Sequence, residues 1–131
     1  MGVLKSKHLI GLEHTPVRDI QKLLDTGFTF REVLDRPIKK VPSLTGQNVV
    51  NLFFENSTRT RISFELAEKR LSADVTNFSA SSSSVSKGEG LKDTVQNIHA
   101  MKIDCAVMRH PSPGSCLQLT QYVDSVVINA G

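Results

Sequence analysis

The run Glu55-Asn56-Ser57-Thr58-Arg59-Thr60-Arg61 puts three hydroxyls and two guanidinium groups at the start of a predicted helix. Free backbone N–H groups at a helix start, hydroxyls and arginines are the donors that hold phosphate. Read locally, Ser57 is a helix cap and the arginines are solvated. Yet the positive end of a helix dipole favours acidic side chains, and two arginines stand there instead. A bound anion removes that conflict. A second segment, Ser79 to Glu89, is rich in hydroxyls and carries one cation, Lys87. Its composition is that of a flexible linker, but a loop with a cationic tip can also close over an anionic substrate. The third segment is Arg109-His110-Pro111, in which Pro111 stops a strand and holds the preceding pair at its end. Arg59, Lys87 and Arg109 thus follow three successive predicted strands, a set suited to a phosphate and a carboxylate.

Those groups need a scaffold, and the apolar spacing supplies one. Val49 to Phe54 reads as a buried strand, and Ile62 to Leu71 as a helix with Phe64, Ala67 and Leu71 on one side. Val75 to Phe78 is a second strand. Leu91, Val95, Ile98 and Met101 mark a helix over 91–101, and Ile103 to Met108 a third strand. Leu117, Leu119 and Val123 suggest a short helix before a fourth strand, Val126-Val127-Ile128. Upstream, Thr15-Pro16 should cap and start a helix through Val17, Ile20, Leu23 and Leu24, which Gly27 should break. Phe30, Val33 and Leu34 continue a second helical pattern, and Pro37, Pro42 and Gly46 punctuate the connection to the first strand. Such alternation predicts an α/β fold, a doubly wound parallel sheet of about four strands with helices on both faces. Ligands of such sheets bind beyond the carboxyl ends of the strands, where strand order reverses.

Composition narrows the partners. A chain of 131 residues with 39% hydrophobic content suits one ordinary domain. The formal charge of +3 fits a small anion better than a polynucleotide, which asks for a basic stripe. Cys105 and Cys116 lack paired spacing, the N-terminus has no signal-peptide core and no run is long enough to span a membrane, so a soluble, cytoplasmic protein is expected. His8, His14 and His99 have no metal-like spacing, and no nucleotide-binding glycine motif is present. No metal and no cofactor are expected.

Phe53-Phe54-Glu55-Asn56-Ser57-Thr58-Arg59-Thr60-Arg61-Ile62-Ser63-Phe64-Glu65 resembles the signature of the aspartate and ornithine carbamoyltransferases, in which S-T-R-T-R grips the phosphate of carbamoyl phosphate. Lys87 to Thr94 and Val107-Met108-Arg109-His110-Pro111 are similar to the next two motifs of the aspartate branch. The resemblance covers about residues 10 to 131 and implies carbamoyl transfer to L-aspartate, an early step of pyrimidine biosynthesis. It implies that Ser57, Thr58, Arg59 and Thr60 hold the phosphate and that Thr60 and Arg109 reach the carbamoyl oxygen. Ser83 and Lys87 would enter the site of a neighbouring subunit in a homotrimer, and Glu55 would tie this domain to an aspartate-binding domain. Arg59, Thr60, Lys87 and Arg109 are then the catalytic set. By the same resemblance the domain, residues 1–131, is truncated near its fourth strand: the family's later H-P-T-Q segment and its aspartate-binding domain are absent, and 131 residues alone should be inactive. A regulatory or dihydroorotase partner is compatible with it. The alternatives are an ornithine carbamoyltransferase and a non-catalytic anion-binding module.

Overall fold

The computed structural model describes residues 4–79 and 91–131. Ser83 and Lys87 lie outside the described residues. Four parallel strands form the sheet: β1 (Asn48–Phe53), β2 (Asp74–Ser79), β3 (Cys105–Arg109) and β4 (Val126–Asn129), in the order β2-β1-β3-β4. The chain steps from β1 to β2 on one side and then returns to place β3 on the other, so strand order reverses between β1 and β3. Register there sets Phe53 against Arg109, and the Phe54 N–H extends the ladder to the Arg109 carbonyl at 2.9 Å. The N-terminal segment adds a bridge to the free edge of β4, where Leu9 pairs with Ile128.

Both faces are covered, as the continuous apolar strands require. Val50, Leu52, Ala106, Met108 and Val127 point to one face and pack with Ile98 of α3 (Leu91–Ala100) and Leu119 of α4 (Ser115–Thr120). Val49, Phe53 and Val107 point to the other and meet Phe64 of α2 (Thr58–Arg70). Here, then, are the predicted α/β class, the four parallel strands and the helices on both faces.

Several local expectations fail. Helix α1 (Val17–Arg31) runs through Gly27 without a break, since an internal glycine costs only about 1 kcal/mol relative to alanine. Thr15 does not cap it: its hydroxyl donates back to the Gly11 carbonyl at 2.7 Å, and Pro16 stands at the cap. The one buried side chain of α1 is Asp19, whose carboxylate accepts the Lys5 and Ser6 N–H groups at 3.0 and 2.8 Å. Helix α2 begins at Thr58, four residues before the apolar pattern does, and its buried residue is Glu68, not Ala67, which is exposed.

Candidate functional site

The loop after β1 delivers Ser57 as the residue that precedes α2. Its hydroxyl does not cap the helix but donates to the Thr60 hydroxyl at 3.0 Å. The helix ladder starts only when the Arg61 N–H reaches the Ser57 carbonyl at 3.0 Å. Ser57 thus leaves the N–H groups of the first turn uncapped, and that turn has no acidic residue to answer its positive end. The two arginines divide. Arg61 turns along the helix to Glu65 at 3.4 Å, whereas Arg59 is exposed and pairs with no carboxylate among the described residues. Thr58 is exposed beside it, and Thr60 is half-buried.

Arg109 ends β3, the neighbouring strand. Its guanidinium is held from two sides, by the Ala130 carbonyl at 3.2 Å from Nη1 and by Glu55 Oε2 at 3.5 Å from Nε. The second contact is an ion pair with poor hydrogen-bond geometry, so the buried Nε keeps a donor without a proper acceptor. Next to it, His110 lies against the Phe54 ring with centroids 5.0 Å apart, and its Nδ1 accepts the Ser112 N–H at 3.0 Å. Burial holds the His110 imidazole below its ordinary range, which favours the neutral ring that such acceptance needs.

One edge of the sheet therefore gathers Glu55, Ser57, Thr58, Arg59 and Thr60 after β1 and Arg109 after β3. Direct contacts join Glu55 to Arg109 and Ser57 to Thr60. Ser83 and Lys87, outside the described residues, are not placed. Uncapped N–H groups, three hydroxyls and a guanidinium with no carboxylate partner among the described residues can hold a phosphate, and Arg109 can serve an oxygen attached to it. A larger cavity than any at this edge among the described residues lies elsewhere. It is an open groove of about 760 Å³ between α1 and α2, lined by Leu23, Leu24, Phe28, Leu66 and other mostly apolar groups. Among the described residues no predicted site residue lines it, and its walls are mostly apolar, with Arg31, Ser63 and Arg70 the polar groups among them. Among the described residues no cluster of histidine, cysteine, aspartate or glutamate could hold a metal, and no helix is long and apolar enough to cross a membrane.

The sequence reading missed a buried polar group beneath this edge. Asn51, in the middle of β1, hydrogen-bonds Glu68 of α2 and Asn77 of β2 at 2.9 and 3.0 Å. Its signal was a lone amide inside the apolar run Val49-Val50-Asn51-Leu52-Phe53.

Comparison with known proteins agrees with this arrangement. Residues 7–131 match the family model of the aspartate/ornithine carbamoyltransferase carbamoyl-P binding domain. The aspartate carbamoyltransferase catalytic subunit of Christiangramia forsetii is 60% identical over 128 residues, which cover 98% of this chain and 41% of that protein. The catalytic subunit of M. jannaschii aspartate transcarbamoylase superposes with a TM-score of 0.83 at 40% identity, over 96% of this chain and 41% of its own. Aspartate transcarbamoylase from Trypanosoma cruzi, in complex with carbamoyl phosphate and aspartate, does so with a TM-score of 0.82 at 33% identity, over 98% and 42%. The chain thus spans about two-fifths of the length of the relatives it matches. With the motif, the sheet edge and a family match over nearly every residue in agreement, the chain belongs to the aspartate/ornithine carbamoyltransferase family by way of its carbamoyl-phosphate-binding domain.

Proposed function

We propose that this chain supplies the carbamoyl-phosphate site of an aspartate carbamoyltransferase, which moves the carbamoyl group to L-aspartate and releases phosphate. The observation that carries the reading is the uncapped first turn of α2, where Ser57 bonds Thr60 and Arg59, at the strand-order reversal, pairs with no carboxylate among the described residues. In this reading Ser57, Thr58, Arg59 and Thr60 bind the phosphate. Arg109 and Thr60 polarise the carbamoyl oxygen as the aspartate amine attacks its carbon. Charge that builds on that oxygen and on the departing phosphate is met by donors already in place, so catalysis is mostly positioning and electrostatic stabilisation. No covalent nucleophile is needed, and the phosphate itself can accept the amine proton.

Aspartate is favoured over ornithine as acceptor because the first relatives are aspartate enzymes and because a T. cruzi relative holds carbamoyl phosphate with aspartate. Three finer points extend the reading. The enzyme works as a homotrimer in which Ser83 and Lys87 serve a neighbouring subunit's site. Glu55 links this domain to one that binds aspartate, so the 131 residues assayed by themselves are inactive. The protein acts in the cytoplasm, in pyrimidine synthesis. Product formation by the natural protein, measured with aspartate and with ornithine, tests the central reading. Carbamoyl-aspartate is the expected product; citrulline alone would reassign the acceptor, and carbamoyl-phosphate binding without turnover would favour a non-catalytic module.

A further inference from the structure

Asn51 is wholly buried, and its Nδ2 donates to Glu68 Oε1 at 2.9 Å and to Asn77 Oδ1 at 3.0 Å. Among the described residues, two buried atoms of this group have no partner, Asn51 Oδ1 and Glu68 Oε2. Both are acceptors while Glu68 is ionised, so the charged form offers neither one a donor from within the pair. A proton on Oε2 changes the inventory. An acid that takes an N–H from an amide through one oxygen can return an O–H to that amide's oxygen from the other. A carboxylic acid and a carboxamide are complementary in this state, and such a pairing would give both orphaned atoms a partner.

We propose that Glu68 is a positioning residue of the anion site, a neutral acid that pairs with Asn51 through both oxygens and fastens the phosphate-binding helix to the strand ending in that site. The inference rests on the phosphate reading of Ser57 to Thr60. Its surroundings favour the neutral form from each packed element. On α2 the nearest charge is the Glu65 carboxylate, held by Lys69 at 3.0 Å and Arg61 at 3.4 Å. Strand β1 offers Asn51 and β2 offers Asn77, both uncharged. Strand β3 offers Cys105, whose thiol is pushed up to about 11 by burial and by the Glu68 and Asp104 carboxylates. Among the described residues no cation pairs with Glu68. Burial, offset by the Asn51 hydrogen bond and reinforced by Glu65, pushes the Glu68 carboxyl up to about 7.

The lever arm makes the pairing matter. At a rise of about 1.5 Å per residue, Glu68 lies roughly 13 Å along the axis from Arg59, so a tilt of about 5° at the pairing moves Arg59 by about 1 Å. A misplacement of about 1 Å in a positioned site can cost about 10²-fold in rate. The direction with pH follows from proton binding. Folded Glu68 keeps its proton to about pH 7, while the unfolded chain releases it near the ordinary 4.5. The stabilisation is therefore whole below that ordinary value and is lost as pH rises through about 7.

The test compares the natural protein with its Glu68→Gln and Glu68→Leu variants, using inorganic phosphate as ligand and calorimetry as readout. Phosphate ionises in the same range, so proteins are compared with one another at each pH. The amide introduced by Glu68→Gln keeps both arms of the pair in a neutral group. Near pH 6 the E68Q and wild-type affinities should match. Near pH 8.5 the wild type should bind several-fold more weakly than E68Q, up to a limit of about 30-fold set by its competent fraction. E68L should bind weakly at both. An infrared carbonyl band of a protonated carboxyl, present in wild type near pH 6 and absent from E68Q, should accompany this. Parallel wild-type and E68Q profiles, with Arg59→Ala still abolishing binding, would overturn the inference alone. So would an E68Q gain confined to thermal stability. Phosphate binding indifferent to Arg59→Ala would overturn the site reading and the inference with it.

Discussion

At the scale of single residues, the site divides groups that are already satisfied from groups that are not. Arg61 has Glu65 and Ser63 has the Arg59 carbonyl, so both belong to the helix's own set of contacts. Arg59 and the first-turn N–H groups have no such partners among the described residues, and that is why the proposed anion site is placed there. Arg109 is intermediate, tethered by Ala130 and Glu55 yet with a spare buried donor. The Glu55 tether is 46% exposed on its side and 3.5 Å long, so it adds little to folding. Glu55→Gln should change the unfolding free energy by less than about 1 kcal/mol, the usual worth of an exposed pair. Denaturant titration measures this, and a loss above about 3 kcal/mol would contradict the reading of Glu55 as a mainly functional contact. The S-T-R-T-R residues and Arg109 were legible from the sequence because arginines at a helix start and a cation held by proline at a strand end are locally unusual. Glu68 was not legible. A glutamate on a helix is ordinarily solvated, and only the fold brings it onto the amide of Asn51.

At the scale of elements, strands were easier to read than helix ends. All four strands were legible to within two residues: β1, β3 and β4 through apolar runs of the kind that burial in a parallel sheet requires, and β2, whose described residues are exposed or half-buried, through Val75 and Phe78 among polar neighbours. Helix α2 began earlier than its apolar spacing suggested, since Thr58, Arg59 and Thr60 join the helix without contributing to its buried side. Gly27 was misread because a glycine inside a helix weakens it without ending it. The short α4 is held by packing: Leu119 is fully buried against the face that contains Val50, Met108 and Val127. Leu119→Ala should therefore destabilise the fold by about 2–5 kcal/mol, the range for emptying a closed core site. Chemical denaturation checks it, and a cost below about 1 kcal/mol would mean that α4 is dispensable to the core.

At the scale of the whole molecule, the sheet explains why distant sequence segments meet: reversing strand order at β1 and β3 puts residues 55–60 and 109 on one edge. The class and sheet were readable from the alternation of patterns, whereas strand order was not, because nothing local to β3 says on which side of β1 it will pair. The proposed sharing of sites between subunits belongs to this scale. Chains carrying Lys87→Ala and chains carrying Arg59→Ala, each inactive alone, should regain part of the activity when assembled together, since some mixed sites then contain neither substitution. No recovery in verified mixed assemblies would remove the shared-site proposal. The central claim is that Arg59 and the first turn of α2 hold the phosphate of carbamoyl phosphate. Titration of the natural protein and its Arg59→Ala variant with carbamoyl phosphate, followed by calorimetry, tests it most directly. The account predicts that the variant loses about 10²-fold or more in affinity, in keeping with about 2.7–4 kcal/mol for an oriented donor to a charged oxygen; equal affinity in the two proteins, with the fold intact, would contradict it.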